Sequence, residues 1–255
     1  MKTMLSLLCL VGAVCFAQQN LPQDMKGMNM PGHDMSQMAR ENSGEDAEAS
    51  SHAMQSMEGH HIEMGAHMKM TALRTPQLGD AGKAQQVADA ARGVMEKYKG
   101  YHVALNEGFK IFHPELPQKQ YHFTNYRYAM EAAFKFNPEH PTSLLYEKNG
   151  DGYRLVGVMY TAPKRFSEDD LNQRIPLSIA QWHEHVNFCA APQGRNQEML
   201  GPNPKFGLKG SITTQTECDA NGGVFHPVIF NWMVHLYPLE KDPARIWSVD
   251  RQHAD

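Results

Sequence analysis

The clearest pattern of apolar and polar positions lies between residues 83 and 98. Apolar residues recur there at positions 87, 90, 91, 94, 95 and 98, among residues that favour helices. This spacing places one apolar face on an amphipathic helix. Gly100 is the predicted end of that helix, and a second, shorter helix is predicted over residues 101–106.

Beyond Phe109 the helical spacing gives way to runs of β-prone residues. Residues 144–146 and 153–160 flank the turn-rich sequence KNGDG, which predicts a β-hairpin. Further strands are predicted over residues 178–189 and 228–237. Between these two strands, glycines and prolines from position 194 to position 210 indicate a loop.

Ser167 precedes three acidic residues, which is typical of an N-cap and the first turn of a helix. Taken with the predicted helices and strands, this gives an α+β fold class. We expect N-terminal helices packed on a mainly antiparallel sheet or small β-barrel.

The first 17 residues have the pattern of an export signal. Lys2 precedes an almost unbroken apolar run from position 4 to position 16, and Ala17 is a suitable cleavage site. The run is shorter than the roughly 20 residues of a spanning helix. We therefore expect a periplasmic or secreted product, cleaved near Ala17, with no stable membrane span after the signal is removed.

Residues 18–79 form a second zone, rich in Met and His. Aromatic residues are absent from positions 21–70, and apolar residues other than Met and Ala are scarce. Such a segment buries too little apolar surface to offset its ordering entropy, so we predict disorder over residues 18–79, including a linker at 72–79. The predicted folded domain is residues 80–255.

Methionine and histidine are the unusual components of the chain, at 17 and 14 residues. Thioethers prefer Cu(I), whereas imidazole accepts Cu(I), Cu(II), Zn(II) or Ni(II). The tract therefore predicts copper capture, although a ligand-free linker or a Met-rich surface for apolar partners remain alternatives. Its candidate ligands are Met28, Met30, His33, Met35, His60, His61, Met64, His67 and Met68.

This tract resembles the Met/His-rich leaders of exported bacterial copper-resistance proteins. The resemblance is one of composition and is confined to this low-complexity region. It implies metal capture and carries no implication for the fold.

The sequence WHEHVNFC holds the strongest candidate site of the folded part. In a strand, its period of two places His183 and His185 on one face, together with Asn187 and Cys189. The bulky Trp182 then lies on the opposite face. Two imidazoles spaced in this way reach a single metal ion.

The strand over residues 228–237 carries a further histidine. Its alternation groups His235 with Asn231, Met233 and Tyr237, and leaves an apolar face opposite. If the two histidine faces meet, His183, His185 and His235 surround one ion, and His122 is a fourth ligand or an acid/base group.

An HxH pair with a later single histidine is similar to the ligand pattern of cupin-type barrels. The chain departs from that pattern because it has no glycine-framed motif and no acidic ligand shortly after His185. His113 and His226 each precede proline and are weaker candidates. Any single histidine is also explained by a structural hydrogen bond.

Removal of the signal leaves two cysteines, Cys189 and Cys218. In an oxidising compartment such a pair is expected to form a disulfide. The alternative makes Cys189 a thiolate ligand beside the histidine pair.

Several motifs together resemble a family of uncharacterised exported bacterial proteins. They are YHFTNY, LLYEKNGDGYRLVGVMY, WHEHVNFC, ECDANGGVFHP and FNWMVHLYP, and they cover most of the folded part. The resemblance implies a compact domain and assigns no activity.

The net charge of −4 and the absence of a basic run argue against a nucleic-acid partner.

The favoured function is binding of a transition metal, first copper as Cu(I) or Cu(II) and second zinc or another divalent ion, for capture, buffering or delivery. The expected partners are the ion and a periplasmic metal-handling protein. One alternative is a metal-dependent, cupin-like redox enzyme or hydrolase, with Tyr121, Tyr237 and Glu184 as proton-transfer groups. The other is a non-catalytic domain with structural histidines.

Overall fold

A computed structural model describes residues 65–114 and 118–248 of the chain. Over these residues, helices accompany an eight-stranded antiparallel sheet. The expected α+β class is therefore confirmed. The sheet is open, with separate edge strands, so the small-barrel alternative was wrong.

Strands and helices are numbered separately in chain order. The strands are β1 (Met68–Met70), β2 (Lys110–Ile111), β3 (Gln120–Thr124), β4 (Ser143–Asn149), β5 (Gly152–Ala162), β6 (His183–Ala190), β7 (Val224–Val228) and β8 (Trp232–Leu236). The α-helices are α1 (Asp80–Lys97), α2 (Tyr101–Asn106), α3 (Tyr126–Ala132), α4 (Glu168–Arg174), α5 (Gln215–Ala220) and α6 (Pro243–Ile246), and short 3-10 turns occur at Gly65–His67 and Asn196–Met199.

The strand order across the sheet is β1-β6-β8-β5-β4-β3-β2, with β7 paired to β6 off this path. Strands β4 and β5 are the predicted hairpin, and they meet at Gly150, whose φ of 56° suits glycine in a tight turn. Strand β8 lies between β5 and β6, which brings the two predicted histidine strands together in the middle of the sheet.

The main core lies between helix α1 and one face of the sheet. Val87, Ala91 and Val94 of the helix belong to the same buried cluster as Trp232 and Val234 of β8. This apolar face of β8 is the one that its alternation predicts. The helix begins at Asp80, three positions before the predicted start at residue 83.

Helix α4 begins where its sequence predicts. The hydroxyl of Ser167 accepts a hydrogen bond from the backbone N–H of Asp170, and the Asp170 carboxylate accepts one from the Ser167 backbone. This reciprocal pair satisfies two N–H groups that the start of a helix otherwise leaves without partners.

Ordered structure begins before residue 80, in contrast to the prediction of disorder up to residue 79. Strand β1 pairs with β6, and the backbone N–H of Thr71 donates to the Trp182 carbonyl oxygen at 2.8 Å. The Arg74 N–H then donates to the Leu177 carbonyl oxygen at 3.1 Å. An exposed edge strand readily accepts another strand, and β1 covers this edge of β6.

Strand β6 is shorter than predicted because it begins at His183, and residues 178–182 precede it without strand structure. Its regular alternation ends at Asn187, which has a φ of 56° in the left-handed region. Val186 and Phe188 are both paired with β7 across this interruption. Asn187 and Cys189 therefore do not continue the face of the two histidines as the period of two predicted.

Cys189 forms a disulfide with Cys218, as the export argument predicted. The bond ties β6 to helix α5, and both cysteines are fully buried. The alternative in which Cys189 supplies a thiolate ligand was therefore wrong. In the described ranges no helix is long and apolar enough to cross a membrane.

Candidate functional site

Four histidines meet on the sheet face opposite the main core. His122 lies on β3, His183 and His185 lie on β6, and His235 lies on β8. Their exposed fractions are 7%, 0%, 2% and 1%, respectively. The ring of His183 lies 5.0 Å from that of His235 and 5.7 Å from that of His185, and the rings of His122 and His235 are 6.1 Å apart, all between centroids.

The approach of His122 to His235 requires a concave face. Strands β4 and β5 lie between β3 and β8, so a flat sheet would separate these strands by roughly 14 Å. The observed 6.1 Å between the ring centroids means that the imidazoles reach inward over the strands between them. We refer to these four histidines as the histidine cluster.

Gly157 leaves room for the ring of Tyr237 beside the cluster. It pairs with Leu145, which in turn pairs with His122. A Cβ atom at position 157 would lie 2.5 Å from Cδ1 of Tyr237, so the tyrosine ring occupies the volume that a side chain there would need. The Tyr237 ring centroid is 6.3 Å from that of His235, and its hydroxyl donates to Oε1 of Gln120 at 3.0 Å.

The surroundings of the histidine cluster are mostly apolar. Its face carries a buried group made of Leu145, Val156, Met159, Met233 and Tyr237, against which Phe230 packs. Phe230 also lies over the cluster, with its ring centroid 5.6 Å from that of His185 and 6.4 Å from that of Phe112.

Burial favours the neutral form of the His122 imidazole. Desolvation lowers the pKa of His122 to about 4, although a hydrogen bond with the Gln120 backbone partly opposes this shift. Among the described residues, Nδ1 of His122 has no hydrogen-bond partner. An uncharged ring nitrogen of this kind is available as an electron-pair donor.

Glu184 lies between the two β6 histidines in sequence but does not join them. Its carboxylate accepts a hydrogen bond from Nζ of Lys69 at 3.0 Å, and that nitrogen lies 4.8 Å from the ring centroid of Trp232 in the main core. Glu184 therefore belongs to the opposite face, as alternation predicts, which removes it as a proton-transfer group. Tyr121 also lies away from the cluster, against Tyr153 at 5.2 Å.

The histidines are close together but are not arranged as a finished metal centre. Over residues 65–114 and 118–248, no group of three or more His, Cys, Asp or Glu side chains is positioned to hold an ion. The sequence thus predicted which histidines of the folded domain meet. Coordination by them would require their rings to turn.

The tract ligands fall into two groups. Met28, Met30, His33, Met35, His60, His61 and Met64 lie outside the described residues. His67 is buried, and its Nδ1 and Nε2 are 3.0 Å and 2.7 Å from the carbonyl oxygens of Asn187 and Gly210. In this structure both of its ring nitrogens therefore tie the chain to the domain, which differs from the ligand role expected for it.

Met68, the last ligand predicted for the tract, pairs with His185 across β1 and β6. The weaker candidates are elsewhere: His113 follows β2 with a φ of 47°, and His226 lies on β7, its ring 5.8 Å from that of Phe188.

The sequence interpretation missed Met159 and Gly157 of β5. The signal that could have found them is alternation along β5, because Val158 and Tyr160 lie in the main core and a period of two places Gly157 and Met159 on the opposite face.

In comparisons with known proteins, no family model matches the chain, and neither a curated protein nor a solved structure matches it. The resemblance to a family of exported bacterial proteins therefore stays an expectation from sequence. Any function must be argued from the histidine cluster and the composition of the chain.

Proposed function

We propose that this protein is an exported transition-metal-binding protein for capture, buffering or delivery, with copper as its first metal and zinc or another divalent ion as its second. The proposed ligands in the folded domain are His183, His185 and His235, with His122 as the fourth. The observation that carries this proposal is the convergence of four buried imidazoles from three strands.

The spacing of the rings fits one shared ion. A metal–nitrogen bond of about 2.0–2.1 Å places a ring centroid roughly 3.2 Å from the ion, and tetrahedral angles then separate two centroids by about 5.2 Å. The observed separations of 5.0, 5.7 and 6.1 Å lie close to that value. These separations belong to three of the six ring pairs, and for those pairs rotation of the side chains would direct the ring nitrogens at one ion.

Burial supports an ion as the ligand in preference to an organic substrate. His183 is completely buried, and Phe230 packs over His185. An ion needs only a narrow path and a small displacement of side chains, whereas a substrate would need an open cleft. This argument favours binding over the enzyme alternative.

The remaining support comes from the leader of the chain. The thioethers and imidazoles at positions 28, 30, 33, 35, 60, 61, 64 and 68 are a donor set suited to copper in either oxidation state. The export pattern of residues 1–17 and the disulfide are both consistent with an oxidising compartment. A second periplasmic metal-handling protein is the proposed donor or acceptor of the ion.

The test measures metal retention by the exported full chain. The wild type is offered Cu(I), Cu(II) and Zn(II) separately, dialysed, and assayed by elemental analysis. The triple variant His183→Ala, His185→Ala and His235→Ala should lose the tightest equivalent of metal. His102→Ala, at an exposed position of helix α2, is the matched control and should retain it.

Removal of three buried side chains can also unfold the domain, so a second measurement uses the wild type. X-ray absorption of the first bound equivalent should show scattering from several imidazole rings. If the wild type retains none of the three ions, or if the triple variant is folded and retains all of its metal, the histidines are structural and the proposal fails.

A further inference from the structure

The histidines of the central strands face methionines across the sheet. His183 pairs with Met233 between β6 and β8, and His235 pairs with Met159 between β8 and β5. Side chains directly opposite each other in an antiparallel pair lie on the same face, with Cβ atoms about 4.5–5.5 Å apart. This face of the sheet thus brings thioether and imidazole groups side by side, and we refer to the histidine cluster together with Met159 and Met233 as the pocket.

Two methionines of β1 extend this pattern toward the sheet edge but lie in different surroundings. Met68 pairs with His185, and it packs in the separate buried group of Phe188 and Leu208. Met70 pairs with His183 and is 36% exposed. Met159 and Met233, in contrast, are 7% and 8% exposed and pack with Tyr237 beside the histidine cluster.

Methionine is also a common filler of irregular space in cores. The chain provides its own comparison, because Met95 and Met199 are buried as well. Met95 lies in the main core, and Met199 lies in the cluster around the disulfide. Neither belongs to the sheet face that carries the histidine cluster, so they separate a packing role from a ligand role.

The three strands that carry the histidine cluster contain one acidic residue, Glu184, and its orientation favours a monovalent ion over a divalent one. Glu184 is paired with Lys69 on the other face, so its carboxylate does not offset a cation among the histidines. The cost of burying an ion rises with the square of its charge, which makes burial of a divalent ion about four times as costly as burial of a monovalent one. Thioether sulfur is soft and neutral, and it prefers Cu(I) to zinc.

We propose, on the basis of the proposed function, that Met159 and Met233 supply thioether ligands beside His183 and His235 and make this pocket selective for Cu(I). The imidazoles alone accept Zn(II) and Cu(II) as well. The two methionines therefore determine which ion is held, and the histidines determine that an ion is held.

The test compares two double variants of the full chain. Met159→Leu with Met233→Leu keeps the side-chain volume and removes both sulfur atoms, and Met95→Leu with Met199→Leu is the matched control. Under anaerobic conditions with a competing chelator, the first variant should bind Cu(I) at least about tenfold more weakly and Zn(II) as the wild type does. The control should bind both ions unchanged.

A second measurement separates the pocket from the tract. In protein labelled with 13C at the methionine methyl groups, one equivalent of Cu(I) should shift the signals of Met159 and Met233 and leave that of Met95 in place. The inference is overturned if Zn(II) and Cu(I) bind to the first variant as to the wild type, or if only other methyl signals shift. Failure of the wild type to bind any ion would instead overturn the proposed function.

Discussion

Replacement of Gly157 by alanine tests the packing that holds Tyr237 beside the histidine cluster. The added Cβ would meet Cδ1 and Cε1 of Tyr237 at 2.5 Å and 2.9 Å, and the Leu236 carbonyl oxygen at 2.8 Å. Gly157 is not in the left-handed region, so the effect of the substitution comes from space and not from backbone strain.

The loss of stability in Gly157→Ala depends on how far the atoms around position 157 can move. Relief to ordinary contact requires the Tyr237 ring to move by about 0.9 Å, yet this residue is fully buried and its hydroxyl is bonded to Gln120. Overpacking of this kind costs about 1–3 kcal/mol. For a folded part of this size, that loss lowers Tm by roughly 2–12 °C.

Thermal unfolding followed by circular dichroism measures the effect. Gly93→Ala is the control, because Gly93 lies in helix α1 with open space around it, and alanine there should stabilise the helix by about 0.5–1 kcal/mol. A Gly157→Ala variant that unfolds at the same temperature as the wild type would show that the ring does not occupy this space.

Two further predictions concern the stability of the fold. Joint replacement of Cys189 and Cys218 by alanine frees a segment with a sequence separation of 29 and should lower the free energy of unfolding by about 3–4 kcal/mol in urea titrations; an unchanged midpoint would contradict this. The hydrogen bonds from the Ser167 hydroxyl and then its backbone lower the pKa of Asp170 below 3.8, so Asp170→Asn should reduce stability above that pH. The difference from the wild type should vanish as the pH falls through the lowered pKa, and a difference that persists in strong acid would refute the assignment.

The elements predicted best are those whose pattern is local. Helix α2 spans the predicted residues 101–106, and the β4–β5 hairpin forms around the predicted turn. The faces of β8 follow from alternation, because Trp232 and Val234 are apolar and face the main core. For the same reason, the meeting of His183 and His235 could be anticipated.

The parts that the sequence did not predict depend on distant partners. Strand β1 has only three residues, too few for its alternation to indicate a strand, and it is ordered by pairing with β6 and by the bonds of His67 to Asn187 and Gly210. The left-handed Asn187 likewise interrupts an alternation that looks continuous in the sequence. Helix α3 has no fully buried residue, so it lacks the amphipathic signal that reveals a helix.

The pairing of β1 with β6 has a consequence for exchange of ions under the proposed function. Met64 and His60 precede Gly65 by one and five positions in the sequence, so few residues join them to the strand that pairs with β6. A ligand joined to the domain by so few residues would pass its ion to the pocket at an effective concentration set by the length of that chain. Loading would then proceed at a first-order rate that does not change when the protein is diluted.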